Sequence, residues 1–382
     1  MARGAAIGII GCGVISETYF RLAPAFRDLK IVACADIAPA MAEARAAQYS
    51  VRVMSVDELL KSDEIDVVIN LTVPAAHYEV SKAILSAGKH AYSEKPLALT
   101  SWDAKKLVAE ADKRGLKLGC APDTFLGGGG QTARRLIDKG AIGKVVSGTA
   151  HVLSHGMEHW HPNPGFFFQP GAGPMLDLGP YYVTALVNLL GPVKTVAAMA
   201  KSGFSHRLVT AEGPMKGKKV KVTTPTTINA ILEFHSGAEV TIATSWDVWK
   251  HGHASPIELY GTKGSMLVPD PNFFGGKVAY SDGSGDYAEA DAALAPFGAE
   301  NYQGRPGTPM RSNYRMLGVA DLIDAARKKR EPRCSGRLAA HVLEVMESTL
   351  KSAETRRFVT LKTEVERPKP LTEADARRLA AP

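Results

Sequence analysis

Long apolar runs are missing from this chain of 382 residues. None reaches the roughly 18–20 residues that a bilayer-spanning helix requires, so no membrane partner is expected. Cysteine is scarce as well. The four present, Cys12, Cys34, Cys120 and Cys334, form neither a CxxC pair nor a metal-ligand spacing. That argues against a zinc or disulfide framework, and they read as small buried hydrophobes in a reducing compartment. There is no internal repeat. Charge has little bias: the net +7 gathers in two short runs, Lys216–Lys221 and Arg327–Arg333. Neither has the aromatic or helix-turn-helix context that nucleic-acid recognition uses, so both read as solvated surface. Ala5–Ile10 could mimic a signal-peptide core, but the glycines after it make no cleavage site. The expectation is the first strand of a cytoplasmic protein.

Hydrophobic residues, at 45%, can fill two ordinary cores. Up to residue 122 the chain alternates short β-branched or apolar runs with helical spacing. The runs are Ala5–Ile10, Lys30–Ala35, Val51–Met54, Ile65–Leu71, Lys89–Tyr92 and Leu116–Cys120. Ser55-Val56-Asp57-Glu58 is a capping box, while Gly88 and Gly115 mark helix ends. Alternation of this kind predicts an α/β fold with a doubly wound parallel sheet, a Rossmann domain over residues 1–122. Strands dominate from Thr195 onward: Thr195–Ala200, Thr226–Phe234, Ala238–Ser245, Pro256–Tyr260, Ser265–Val268 and Lys277–Tyr280. Short spacing without crossover helices predicts an α+β domain over 123–382, with a large, open, mostly antiparallel sheet. Residues 281–312 show no period and read as a loop or arm. Two helices follow, about Tyr314–Lys329 and Leu338–Ala353.

Chemistry gathers at the ends of the early strands. Gly11-Cys12-Gly13-Val14-Ile15-Ser16 lacks only the last glycine of a GxGxxG turn, and serine is small enough for that packing position. Such a turn, with Gly11, Gly13, Val14 and Ile15, offers backbone N–H groups to a dinucleotide pyrophosphate. Asp36 ends the second strand about 20 residues later, where a carboxylate accepts from ribose hydroxyls. Ile37-Ala38-Pro39 brings no arginine for a 2′-phosphate, so NAD is expected over NADP. Thr72 and Pro74 end the fourth strand and point toward a cofactor. His77, next along, reads equally as a cofactor neighbour or as a solvated helix start. Glu94-Lys95-Pro96 follows the fifth strand, placing a lysine where a nicotinamide and a substrate hydroxyl would meet.

Taken with Gly171–Tyr181, which reads GAGPMLDLGPY, these motifs resemble the Gfo/Idh/MocA family of sugar and inositol oxidoreductases, over roughly Ile7 to Met346. The resemblance implies that Lys95 is catalytic, that Glu94 lies in the cofactor pocket and that a cis bond precedes Pro96. It also implies that Asp177 is the aspartate of a D-x-G-x-H motif whose histidine is here Tyr181. A tyrosine base needs a nearby cation, which Lys95 could supply. Asp123 stands where many relatives carry other residues, putting a carboxylate near the nicotinamide. The open sheet would mediate a homodimer or homotetramer.

Two aromatic and histidine-rich stretches remain. His155, His159 and Trp160 in the first, and Trp249 in the second, can grip a polyol by hydrogen bonds and ring stacking. A zinc or manganese site is the rival reading of the same side chains; no metal is expected, since the family reaction requires none. The leading expectation is an NAD-dependent dehydrogenase acting on a secondary hydroxyl or keto group of a sugar, glycoside or inositol. Two alternatives stay open: a redox-neutral glycosidase or lyase that oxidises transiently, and a non-catalytic ligand-sensing protein.

Overall fold

The computed structural model describes residues 4–304 and 307–381. Six short strands form the first sheet: β1 (Ala5–Ile10), β2 (Leu29–Ala35), β3 (Arg52–Val53), β4 (Val67–Asn70), β5 (His90–Ser93) and β6 (Leu118–Cys120). All pair in parallel, in the order β3-β2-β1-β4-β5-β6. β1 and β4 are buried along their whole lengths, as strands covered on both faces must be. Strand order reverses between β1 and β4, so a crevice opens beyond their carboxyl ends, where this topology binds ligands. Gly11 and Thr72 lie there. The expected capping box is present, Ser55 Oγ accepting from the Glu58 N–H while Glu58 accepts from the Ser55 N–H.

The second sheet has nine strands. They are β7 (Val145–Leu153), β8 (Val193–Lys201), β11 (Thr227–Phe234), β12 (Glu239–Ser245), β13 (Ile257–Gly261), β14 (Ser265–Val268), β15 (Val278–Ser281), β16 (Ala288–Ala290) and β19 (Val359–Thr360). Only the β7–β12 pair is parallel, and the rest are antiparallel. Alternation decides the faces. Along β11, Ile228, Ala230, Leu232 and Phe234 are buried, and the residues between them are not. The buried face meets the helices Gly179–Leu190 and Gly336–Thr355. The other face stays open, with Met199, Ile231 and Phe358 exposed along a shallow depression.

Several details depart from the expectations. The run Lys216–Lys221 is not simply solvated surface: Lys219–Lys221 is β10, paired with β9 (His206–Leu208), and Val220 is buried in a small satellite core. Residues 281–312 are not featureless, because they hold β16 and the pair β17 (Tyr302–Gln303) and β18 (Met310–Arg311). A helix Glu373–Leu379, capped by the Thr372 hydroxyl, was also unforeseen. The chain's last third returns to the first sheet. Cys334 O accepts from the Cys120 N–H at 2.9 Å, and the helix Gly336–Thr355 packs on Ser101–Lys113.

Candidate active site

The glycine turn is built for close approach. Gly11 has φ +100°, and a Cβ there would lie 2.6 Å from the Leu71 carbonyl, so no other residue fits. Gly13 is the opposite case, since a Cβ would meet nothing within 4 Å. Its open side faces away from the fold, at the start of the helix Val14–Leu22, and Val14 is 90% exposed. Ser16 does more than tolerate its position. Its hydroxyl donates to Gly13 O at 2.6 Å and accepts from Arg45 Nε at 3.1 Å, fastening the turn. Asp36 accepts from the Cys12 N–H at 2.7 Å and the Ala38 N–H at 2.8 Å, and its oxygens keep acceptor capacity for ribose hydroxyls. An open cradle, a helix N-terminus and a carboxylate at the end of β2 together fit a dinucleotide.

The turn after β4 is held from within. Buried Asn70 accepts from the Thr72 hydroxyl at 2.7 Å and donates to the His77 carbonyl and to Ser81 Oγ, both at 3.0 Å. Pro74 opens a short 3-10 turn on the same crevice. His77 is not a solvated helix start. It is 1% exposed, with Nδ1 2.6 Å from Pro96 O and Nε2 2.9 Å from Thr72 O. It therefore struts the turn after β4 against the one after β5, where it has no free nitrogen for a cofactor.

The turn after β5 carries Glu94 and Lys95, and the Lys95–Pro96 bond is cis, as is Ala121–Pro122. Tyr19, buried on the fingerprint helix, donates to Glu94 at 2.8 Å, and the Lys95 N–H donates to the other carboxylate oxygen at 3.0 Å. The Lys95 ammonium crosses to the second domain's residues. It donates to Asp177 O at 2.8 Å and Oδ1 at 3.1 Å, and it stands 5.3 Å from the centre of the Tyr181 ring. Burial alone would depress its pKa. Tyr181, Asp177 and Glu94 outweigh that and hold it above the ordinary lysine value, so the side chain stays cationic at neutral pH. Asp177 ends the short helix Pro174–Asp177, and Tyr181 lies in the first turn of Gly179–Leu190. Tyr182 turns elsewhere, bonding Asp270 at 3.3 Å.

Asp123 does not reach a substrate, contrary to expectation. It is 2% exposed and accepts from the Gly318 N–H at 2.9 Å. Burial pushes its pKa up to about 6, against the pull of the Gly318 bond and Arg315. Arg315, whose guanidinium is held above the ordinary arginine value by the charges of Tyr181, Glu94 and Asp123 against the effect of burial, gave no motif in the sequence. Its nearest signal is the polar Asn313 two residues before it.

The loops after β7 and β12 leave the same end of the sheet, against which the helix Pro174–Asp177 packs. His155 stacks on Trp249 with ring centres 3.3 Å apart, and Trp249 is 77% exposed. His159 and Trp160 are exposed beside them. A buried cation that the sequence did not reveal braces these loops. Arg207 of β9 donates to Glu158 at 2.9 Å, to Asp247 and to the His155 and Trp246 carbonyls. Among the described residues no three His, Cys, Asp or Glu side chains converge as a metal ion would require.

Known proteins agree with this layout. The model of an oxidoreductase family with an NAD-binding Rossmann fold matches residues 5–121, and that of a GFO/IDH/MocA C-terminal domain matches 131–267. An uncharacterized oxidoreductase of Schizosaccharomyces pombe is 33% identical over 164 residues, 42% of this chain and 43% of that protein. The matched segment thus spans less than half of that relative. A dTDP-3,4-didehydro-2,6-dideoxy-alpha-D-glucose 3-reductase of Saccharopolyspora spinosa is 29% identical over 278 residues, 70% of this chain and 75% of the reductase. The crystal structure of an oxidoreductase domain protein from Kribbella flavida shares the fold, with TM-score 0.79 at 22% identity, covering 94% of this chain and 99% of that one. No described helix is long and apolar enough to cross a membrane. The two family matches follow one another across both sheets in the order the fold builds them, and the chain belongs to the Gfo/Idh/MocA family of NAD-binding oxidoreductases.

Proposed function

We propose that the protein is a dehydrogenase or reductase of a secondary hydroxyl or keto group on a sugar, glycoside or cyclic polyol. The observation that carries this reading is the junction of Lys95, Asp177 and Tyr181 at the carboxyl end of β5, beside the dinucleotide cradle. The cradle would hold NAD through the N–H groups of Gly13, Val14 and Ile15 and through Asp36, with Thr72, Pro74 and Glu94 around the nicotinamide end. When bound, NAD takes up or gives the hydride. Lys95, permanently cationic, fixes and polarises the reacting oxygen, since an ammonium attracts the charge that grows there. Asp177 holds Lys95 in place. Tyr181 gives its hydroxyl proton to that oxygen during reduction and takes it back during oxidation. Its proximity to Lys95 supports that role.

His155, His159, Trp160 and Trp249 would form the outer wall, offering polar edges and flat apolar faces to a polyol. The layout supports residues 1–122 as the cofactor half and 123–382 as the half that binds substrate and a second subunit. The open face of the nine-stranded sheet is suited to a homodimer or homotetramer, and a cytoplasmic location suits four free, buried cysteines. The test is a panel of inositols, hexoses and glycosides, followed by product analysis together with NADH absorbance. Turnover with stoichiometric NADH is expected. Product without NADH would mean redox-neutral elimination or hydrolysis, and saturable binding without product would mean a sensor.

A further inference from the structure

Ile37-Ala38-Pro39 carries no arginine, but the helix that it opens, Pro39–Tyr49, brings Arg45 to the glycine turn. Arg45 Nε donates to Ser16 Oγ at 3.1 Å, Nη2 to Gly13 O at 3.4 Å and Nη1 to Gln48 Oε1 at 2.8 Å. All three acceptors are neutral. Among the described residues no carboxylate forms an ion pair with it, and Glu17, in the first turn of the fingerprint helix, pairs with Arg21 instead. The chain treats its more deeply buried arginines differently. Arg134 meets Asp138, Arg207 meets Glu158 and Asp247, and Arg333 meets Asp321 and Asp375. Arg45, half-buried among neutral groups, keeps its charge uncompensated. Such a cation loses hydration, and an anion beside it offsets that cost. Arginine has five N–H donors, and three are used in these bonds, so two remain.

We propose that Arg45 is a binding residue for the pyrophosphate of the dinucleotide. Gly13 caps the helix Val14–Leu22, and a pyrophosphate belongs at that N-terminus. The helix end offers only partial positive charge. Arg45, tied to the same turn, adds a full charge that is never lost to deprotonation. Ser16 thereby gains a role. Where the full fingerprint has its last glycine, this chain has a hydroxyl that holds the guanidinium against the turn. Asp36 and Arg45 then divide the adenosine half of the cofactor, the carboxylate taking ribose hydroxyls and the cation taking phosphate. The assignment concerns cofactor binding alone and holds for any reaction the enzyme carries out with NAD.

Calorimetric titration of the full chain with NAD, ADP and adenosine tests this in native protein, Arg45→Met and Arg45→Lys. Arg45→Met should weaken NAD and ADP by about tenfold, the scale of a hydrogen bond to a charged group, and leave adenosine essentially unchanged. The native advantage should shrink as salt is raised to about 1 M, where charges are screened over about 3 Å. Arg45→Lys should keep most of the affinity. An ammonium binds phosphate as a point charge, although it cannot fork between Ser16 and Gly13. Equal losses for adenosine and ADP in Arg45→Met would make Arg45 a fastener of the turn and overturn the proposal. Unchanged affinity for all three ligands would overturn it as well. NADP is the last arm: a loss confined to NADP would move the cation to a 2′-phosphate and contradict the assignment to the pyrophosphate.

Discussion

Lys95, Tyr181 and Asp123 show how little a residue's type says until its neighbours are known. A phenol at a pocket wall contributes only about 1 kcal/mol of net hydrogen bonding, so Tyr181→Phe should leave the melting temperature nearly unchanged while turnover collapses. Tyr182→Phe is the control, because its hydroxyl bonds Asp270 away from Lys95. Loss of turnover in Tyr182→Phe but not in Tyr181→Phe would show the proton route to be misassigned. Asp123 makes a prediction about stability. Its folded pKa of about 6 lies above the ordinary carboxylate value. The folded state therefore holds the proton more tightly than the unfolded chain. Its contribution is full below the unfolded pKa and is lost as pH rises to about 6. Two units correspond to about 3 kcal/mol. Unfolding of Asp123→Asn by urea across pH 4–7 should lack that fall, and an unchanged slope would mean the carboxyl is not desolvated in solution.

Elements, more than single side chains, decide what could be read in advance. The first sheet was legible almost strand for strand, because parallel strands covered on both faces must be continuous apolar runs and their turns need glycine or caps. The tight turn at Gly11 was legible for the same reason, since its backbone geometry requires glycine. Asp36→Ala should weaken NAD binding by about tenfold or more and narrow its advantage over NADP. Part of that loss would come from the turn, because Asp36 also holds the Cys12 and Ala38 N–H groups. Titration of both cofactors into each variant checks this, and an unchanged preference would mean that Asp36 does not meet the ribose. What stayed hidden depends on contacts distant in sequence. Arg207 is one arginine in a three-residue strand, and only folding brings Glu158 and Asp247 to it. His77, expected as a cofactor neighbour or a solvated helix start, and Asp123, expected near the nicotinamide, are instead covered by the cis turn at Pro96 and the helix Leu317–Arg327.

At the scale of the whole molecule, two sheets meet at one site, and each supplies what the other lacks. The first brings the cradle and Lys95. Helices packed on the second bring Asp177 and Tyr181, and the open face of that sheet leaves Met199, Ile231 and Phe358 uncovered. Exposed apolar residues gathered on a sheet face mark an association surface. Sedimentation should give a dimer or tetramer for the native chain and a smaller species for Ile231→Lys, which places a charge on that face. A monomeric native protein, or an unaltered assembly in the variant, would assign the face another role. The central claim is that Lys95 acts on the reacting oxygen while the cofactor is held elsewhere. It is tested most directly by comparing native protein and Lys95→Met in one experiment that measures NADH formation on the best polyol and NAD affinity by titration. Turnover should fall by about two to four orders of magnitude with NAD affinity essentially unchanged. Near-native turnover in Lys95→Met would contradict it.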